Sequence, residues 1–158
     1  AYTWFYSEFT GFDPDTYLPS VWDSRHLLSF VGGYKFKRNW ELSARYRFAG
    51  QTPYVPTNLE ATLENYPEVI LDYSRLGEEK LDVFSQLDVR LDKKWNLKNF
   101  AFDVFIEVQN LLGQDIPSPP EYGLSRDASG AVIEPESLVQ IETGEGQPIP
   151  SIGIVIDF

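Results

Sequence analysis

His26 is the one histidine of the chain and follows directly on "WDSR", so an imidazole lies close in sequence to the carboxylate of Asp23. Such a pair can move protons in a protease or acyltransferase, provided a nucleophile is at hand. Cys is absent, which removes thiol nucleophiles, disulfides and cysteine zinc sites together. No Ser stands in a nucleophile setting such as G-x-S-x-G. The plainer reading is that Trp22, Asp23, Arg25 and His26 form a network at the lead-in to a strand. In it Asp23 pairs with Arg25 and His26 completes the hydrogen bonds. We therefore expect a protein that is not an enzyme, with no catalytic residue and no cofactor. The acids offer a second chemistry, because Asp13 with Asp15, or Glu142 with Glu145, carry the oxygens that calcium favours. No D-x-D-x-D-G loop orders them, and they read as solvated surface acids.

What positions these residues is a chain of 158 residues, enough for one domain with a sizeable core. Acidic groups outnumber basic ones, 24 against 13, for a formal charge of -11. A chain of that sign repels nucleic acid, which demands a basic face. No apolar run approaches the roughly 18 to 20 residues of a membrane helix. There is no Met and no signal peptide at the start, so the expectation is a chain that begins after processing or partway through a longer protein. Aromatic residues make up 15%, a content that an acidic soluble protein rarely needs unless its rings sit at an interface.

Period-two alternation is the dominant pattern. "WELSARYRFAG" sets Trp40, Leu42, Ala44, Tyr46 and Phe48 against Glu41, Ser43, Arg45 and Arg47. "LDVFSQLDVRLD" sets Leu81, Val83, Leu87, Val89 and Leu91 against Asp82, Phe84, Gln86, Asp88, Arg90 and Asp92. "FAFDVFIEVQN" sets Phe100, Phe102, Val104, Ile106 and Val108 against Asp103, Glu107 and Gln109. "IPSIGIVIDF" sets Pro150, Ile152, Ile154, Ile156 and Phe158 against Ser151, Gly153, Val155 and Asp157. "LLSFVGGYKFK" is weaker, with Leu28, Phe30, Tyr34 and Phe36 on one face. "AYTWFYSEF" is apolar on both faces, and we place Tyr2, Trp4 and Tyr6 outward. The spacing predicts six antiparallel strands near residues 1–12, 26–38, 40–51, 80–95, 99–111 and 149–158, with sequence neighbours paired. Helix-period signals are nearly absent.

The connections alternate in kind. "KFKRNW" and "DKKWNLKN" are short and basic with a Trp, whereas the other three are long and rich in Pro and acid. A soluble β-sandwich would explain the alternation. Strands this long, one face of large hydrophobes, an almost unbroken polar face and loops sorted by length favour a transmembrane outer-membrane barrel. Long loops would then lie outside the cell, with the short turns and the chain's end in the periplasm. Trp40 and Trp95 would join a lower aromatic girdle, and Tyr17, Trp22 and Tyr54 would stand near the outer rim.

Four pieces in order carry a resemblance: "YLPSVWDSRHLLSFVGGYKF", "WELSARYRFAGQTPYVP", "LDVFSQLDVRLDKKWNLKNFAFDVFIEVQNLL" and "IPSIGIVIDF". Together they resemble the C-terminal end of a TonB-dependent outer-membrane receptor, most closely the type built around a Trp-Asp-x-Arg-His lead-in. The resemblance implies a roughly 22-stranded barrel with an N-terminal plug, importing scarce nutrients under the drive of an inner-membrane energy complex. Residues 1–158 would be the C-terminal portion of that barrel domain, its last six strands, with the plug and the N-terminal strands absent. It further implies that Ile152, Ile154, Ile156 and Phe158 face lipid and act as the C-terminal signal read by the barrel-assembly machinery. Implied partners are membrane lipid, the remaining strands and plug from the same protein or a second chain, the TonB complex through absent segments, and a surface lipoprotein. Arg45, Arg47, Asp88, Arg90, Asp103 and Glu107 line the expected lumen, where they contact the plug or a substrate, or pair across neighbouring strands. Two alternatives stay open: a barrel of this fold serving as structural or adaptor subunit of a larger outer-membrane assembly, and an outer-membrane barrel enzyme.

Overall fold

The computed structural model describes residues 1–11, 13–141 and 145–158. Its elements in chain order are β1 (Tyr2–Trp4), β2 (Glu8–Thr10), β3 (Tyr17–Pro19), β4 (His26–Phe36), β5 (Trp40–Ala49) and α1 (Leu59–Glu64). There follow β6 (Phe84–Asn96), β7 (Ala101–Gln109), β8 (Glu121–Leu124), β9 (Leu138–Ile141) and β10 (Ile149–Asp157).

Six strands form one antiparallel sheet in the order β1-β4-β5-β6-β7-β10. Five of the six expected strands are present along most of their length and the first only in part, and sequence neighbours pair in that order. Two tight reversals set the pairing of the long strands. At Lys37–Asn39 the chain turns with Arg38 and Asn39 both at positive φ, 64° and 59°. Consecutive left-handed residues match the twist of the flanking strands, and Asn tolerates that region better than most. Residues 97–100 make the other reversal, closed by Leu97 N–H donating to the carbonyl of Phe100 at 2.9 Å.

The first strand departs from expectation. Instead of running over 1–12 it divides: β1 pairs with β4 only at Tyr2–Trp4, while β2 turns aside to pair with β3. A single bond, from Phe5 N–H to the Arg25 carbonyl at 3.0 Å, bridges the break. A segment apolar on both faces gains little from any one register, so nothing holds it flat on the sheet. The long connections also carry structure of their own. Asn58 caps α1 by accepting from Ala61 N–H at 3.1 Å, and β8 and β9 pair as a hairpin within residues 110–148.

Register carries the alternation across the whole sheet. Leu28, Phe30, Tyr34, Leu42, Tyr46, Leu87, Val89, Leu91, Val104, Ile106, Ile152 and Ile154 share one face, since their Cα partners lie on that same face in each ladder. The other face holds Arg45 opposite Asp88, Arg47 opposite Gln86, and Arg90 opposite Glu107.

Among the described residues no second layer covers either face. Among the described residues no hydrophobic residue is buried, whereas Ser20, Asp23, Ser24, Thr62 and Asp88 are. That distribution inverts the one found in globular proteins. The chain exposes 11542 Å², against about 8,100 Å² for a compact monomer of its mass, an excess of roughly 3,400 Å².

Gly153 shows how the polar face is filled. A Cβ built there would meet the Phe105 ring at 2.2 Å, so the far end of the ring occupies the space beside the glycine in the neighbouring strand. The Arg90 guanidinium then stands over the same ring, 3.6 Å from its centroid. Gly153→Val should expel the ring and its arginine, at a cost of about 1–3 kcal/mol from overpacking. Urea unfolding of the intact protein measures it, and adding Phe105→Ala should recover part of the loss. A double variant as unstable as the sum of its singles would show that the stack carries no coupling.

Candidate functional site

The charged face between β5, β6 and β7 is the most organised polar surface of the molecule. Asp88 sits at its centre and is buried. Its Oδ2 accepts from Arg45 Nε at 2.9 Å and from Arg45 Nη2 at 2.7 Å. Its Oδ1 accepts from Gln86 Nε2 at 2.8 Å and from the backbone N–H of Asn110 at 3.0 Å. Asn110 has a positive φ of 51°, so this carboxylate also fixes the turn by which β7 ends. One strand position lower, Arg90 donates to Asp92 at 2.6 Å and 3.0 Å and lies 3.7 Å from Glu107. Arg47 donates only to the neutral amide of Gln86, at 2.8 Å.

Of the residues singled out for this face, Arg45 meets Asp88 and Arg90 meets Glu107. Asp103 stands apart, its buried Oδ1 without a hydrogen-bond partner among the described residues, opposite a Lys94 that is turned to Asp157 at 3.1 Å. Gln86, Asp92 and Phe105 belong to the same surface and were not named as site residues. Alternation alone would have placed Phe105 there, because it lies between Asp103 and Glu107 at a spacing of two.

At the lead-in to β4 the Asp23–Arg25 pair is present, Arg25 Nε donating to Asp23 Oδ2 at 2.8 Å. Arg25 also lies over the Tyr6 ring, 4.2 Å from its centroid. His26 turns elsewhere: its Nδ1 meets the Tyr2 hydroxyl at 2.7 Å. An acid–base pair of Asp23 with His26 is therefore not assembled, and Trp22 stands exposed beside the network. Gly50 permits the crossing of this segment over the end of β5, since a Cβ there would lie 2.2 Å from the carbonyl oxygen of Ser24.

Asp13 and Asp15 belong to no metal-holding group among the described residues. Asp13 is engaged in its own turn, accepting from Asp15 N–H at 3.0 Å and from the Thr16 hydroxyl at 2.6 Å. The Thr16 bond, then that of Asp15, holds its carboxyl below the usual range. Among the described residues no three His, Asp or Glu side chains gather at one point. Glu142 lies outside the described residues.

On the apolar face the aromatics collect toward the two tight reversals. Trp95 lies 5.7 Å from Phe102, Tyr34 lies 4.7 Å from Phe36, and Lys93 stands 5.4 Å over Trp40 and 5.3 Å over Trp95. At the opposite end Tyr17 and Trp22 are exposed, whereas Tyr54 is turned inward to donate to Glu79. Ile152, Ile154, Ile156 and Phe158 all stand exposed, Phe158 completely at 101%. The arrangement as a whole can do two things: present a broad apolar surface on one side, and bind or exclude polar groups on the other. Among the described residues no helix is long and apolar enough to cross a membrane. No family model, curated protein or solved structure matches the chain.

Proposed function

We propose that this chain is a section of the wall of a transmembrane β-barrel of the TonB-dependent receptor type, seated in a bacterial outer membrane and serving energy-coupled import of a scarce nutrient. The observation that carries the reading is the uncovered sheet. Six long strands in chain order expose apolar side chains on one face and a paired charge network on the other, with no core between layers. Hydrocarbon satisfies the first face and a water-filled lumen the second. Closed barrels begin at about eight strands, and unpaired strand edges in hydrocarbon cost several kcal/mol per group, so further strands must join β1 and β10. Connections between β5 and β6 and between β7 and β10 would face the exterior. The two tight reversals would face the periplasm, with Trp40, Trp95 and the snorkelling Lys93 at the lower interface.

The chain contains no Cys, so within it one introduced cysteine is the one thiol to label. Spin labels at 102–108 in the intact protein in lipid vesicles should alternate. Phe102, Val104, Ile106 and Val108 positions should be relaxed by oxygen, and Asp103, Phe105 and Glu107 positions by a water-soluble nickel complex. Equal nickel access on both faces would remove the membrane assignment. The transport part is tested by growth. A strain lacking the protein should fail on a limiting nutrient that its parent takes up only while the inner membrane is energised; equal growth throughout leaves a structural subunit.

In this reading Ile152, Ile154, Ile156 and Phe158 are what the assembly machinery reads. Phe158→Asp should lower the amount of protein reaching the outer membrane, Phe158→Tyr should not, and both should refold alike in detergent. A ring so exposed contributes well under the roughly 1.5–3 kcal/mol of a buried Phe. Normal assembly of Phe158→Asp in cells, or equal failure in detergent, would leave Phe158 without a sorting role.

A further inference from the structure

The connection between β5 and β6 is long, and loops of that length are commonly either functional or loose. This one builds its own frame. Antiparallel bridges join Pro53 to Lys80 and Thr57 to Leu71. Asn58 N–H donates to the Ile70 carbonyl at 2.8 Å and Asp72 N–H to the Pro56 carbonyl at 2.9 Å. Thr62, the buried residue of α1, both accepts from Ile70 N–H at 3.0 Å and donates to the Ile70 carbonyl at 3.3 Å. The frame lines an open cavity of about 530 Å³, to which Pro119 and Pro120 of the β7–β10 connection also contribute. That volume lies within the span of small-molecule sites.

The wall is apolar and wet. Leu59, Val69 and Leu71 line the cavity and are exposed by 44%, 56% and 40%. The rim is acidic. Arg75 is its one basic lining residue, and it is already engaged with Glu78 at 2.9 Å and Glu79 at 2.8 Å. Glu121 is an exposed lining residue, and no described basic side chain pairs with it. Two phenols, Tyr54 and Tyr122, complete the lining. Burial, then the bond to Glu79, pushes the Tyr54 phenol up to about 12, so it remains a neutral ring and donor.

We infer that this cavity binds a small amphipathic cation, with its apolar body against Leu59, Val69 and Leu71 and its ammonium or guanidinium head at Glu121 and the two tyrosines. An apolar wall alone would take any hydrophobe. The uncompensated carboxylate and the π-faces select the positive head and disfavour an anion. The inference stands on the two long connections, residues 54–79 of one and 118–122 of the other, and holds whether or not the sheet belongs to a transporter.

Phenethylammonium, 2-phenylethanol and 3-phenylpropanoate, titrated against the intact protein in detergent by saturation-transfer NMR and calorimetry, share one ring and differ in head group. The ammonium should bind at least about tenfold more tightly than the alcohol, and the carboxylate most weakly. Glu121→Gln should erase most of that preference while leaving the alcohol unchanged. Val69→Trp should fill the cavity and abolish binding of all three, and Glu41→Gln, in β5 beside the Lys37–Asn39 reversal and at the other end of the sheet from this connection, should change nothing. No binding of the ammonium, equal binding of ammonium and carboxylate, an unchanged preference in Glu121→Gln, or retained binding in Val69→Trp would each overturn the site.

Discussion

Leu87→Arg and Val104→Arg should each destabilise the protein in a bilayer by about 2–4 kcal/mol, the cost of a guanidinium facing hydrocarbon near the midplane. The same substitution at Gln86 or Ala101 should cost far less, because those positions alternate to the charged face, where Arg45, Arg47 and Arg90 already stand. Gln86 and Leu87 are adjacent in one strand, so propensity and local backbone are matched and only the face differs. Urea unfolding in lipid vesicles is the measurement. Equal losses at the two sets would mean that the two faces meet the same solvent, and the barrel reading would fail.

The second large effect is expected at Asp88. Asp88→Ala removes the acceptor for Arg45, Gln86 and Asn110 at once. Removing one partner of a buried ion pair costs about 3–5 kcal/mol. The Arg45 side chain is 47% exposed and recovers hydration, which brings the expected loss nearer about 2 kcal/mol. Asp88→Asn keeps one carbonyl oxygen and should lose about half as much. Denaturant unfolding reads both, and hydrogen exchange at the Asn110 amide supplies the local signature, since that N–H has the carboxylate as its partner. Unchanged exchange in Asp88→Ala would mean that the turn is held by something else.

How far these features could be read in advance depended on whether a residue's role is set by its own strand or by a neighbour. Alternation within "ELSARYRFA" or "LDVRLDKKW" is a property of one strand, so Leu87 and Gln86 could be assigned to faces without a fold. Arg45 opposite Asp88 needs the register of β5 on β6, which no tight turn sets because residues 50–83 lie between them; the apolar-or-charged choice of face narrows it only to steps of two. The contact of Asp88 with Asn110 and the approach of the Phe105 ring to Gly153 need the three-dimensional ladder. No local pattern contains them. The break within residues 1–12 was hidden for the opposite reason: aromatic residues on both faces leave the pattern without a preferred register. Helix α1 was hidden by its length, because six residues after Asn58 are too few for a helical period to show. Asp23 with Arg25 could be anticipated from spacing, whereas His26 found Tyr2, a partner from another strand.

The unequal connections also set an order of events in folding. β4 joins β5 through Lys37–Asn39, and β6 joins β7 through residues 97–100, so each pair meets at little cost in chain entropy. Bringing β5 to β6 closes residues 50–83, which costs about 2 kcal/mol more than the three-residue turn by the logarithmic law of loop closure. The two hairpins should therefore form first and join later, with the buried Asp88 and Arg45 meeting only at the second step. Hairpins, rather than single strands, become the units that nucleate and then associate, and the Arg45–Asp88 pair becomes a late clasp whose loss speeds unfolding more than it slows folding.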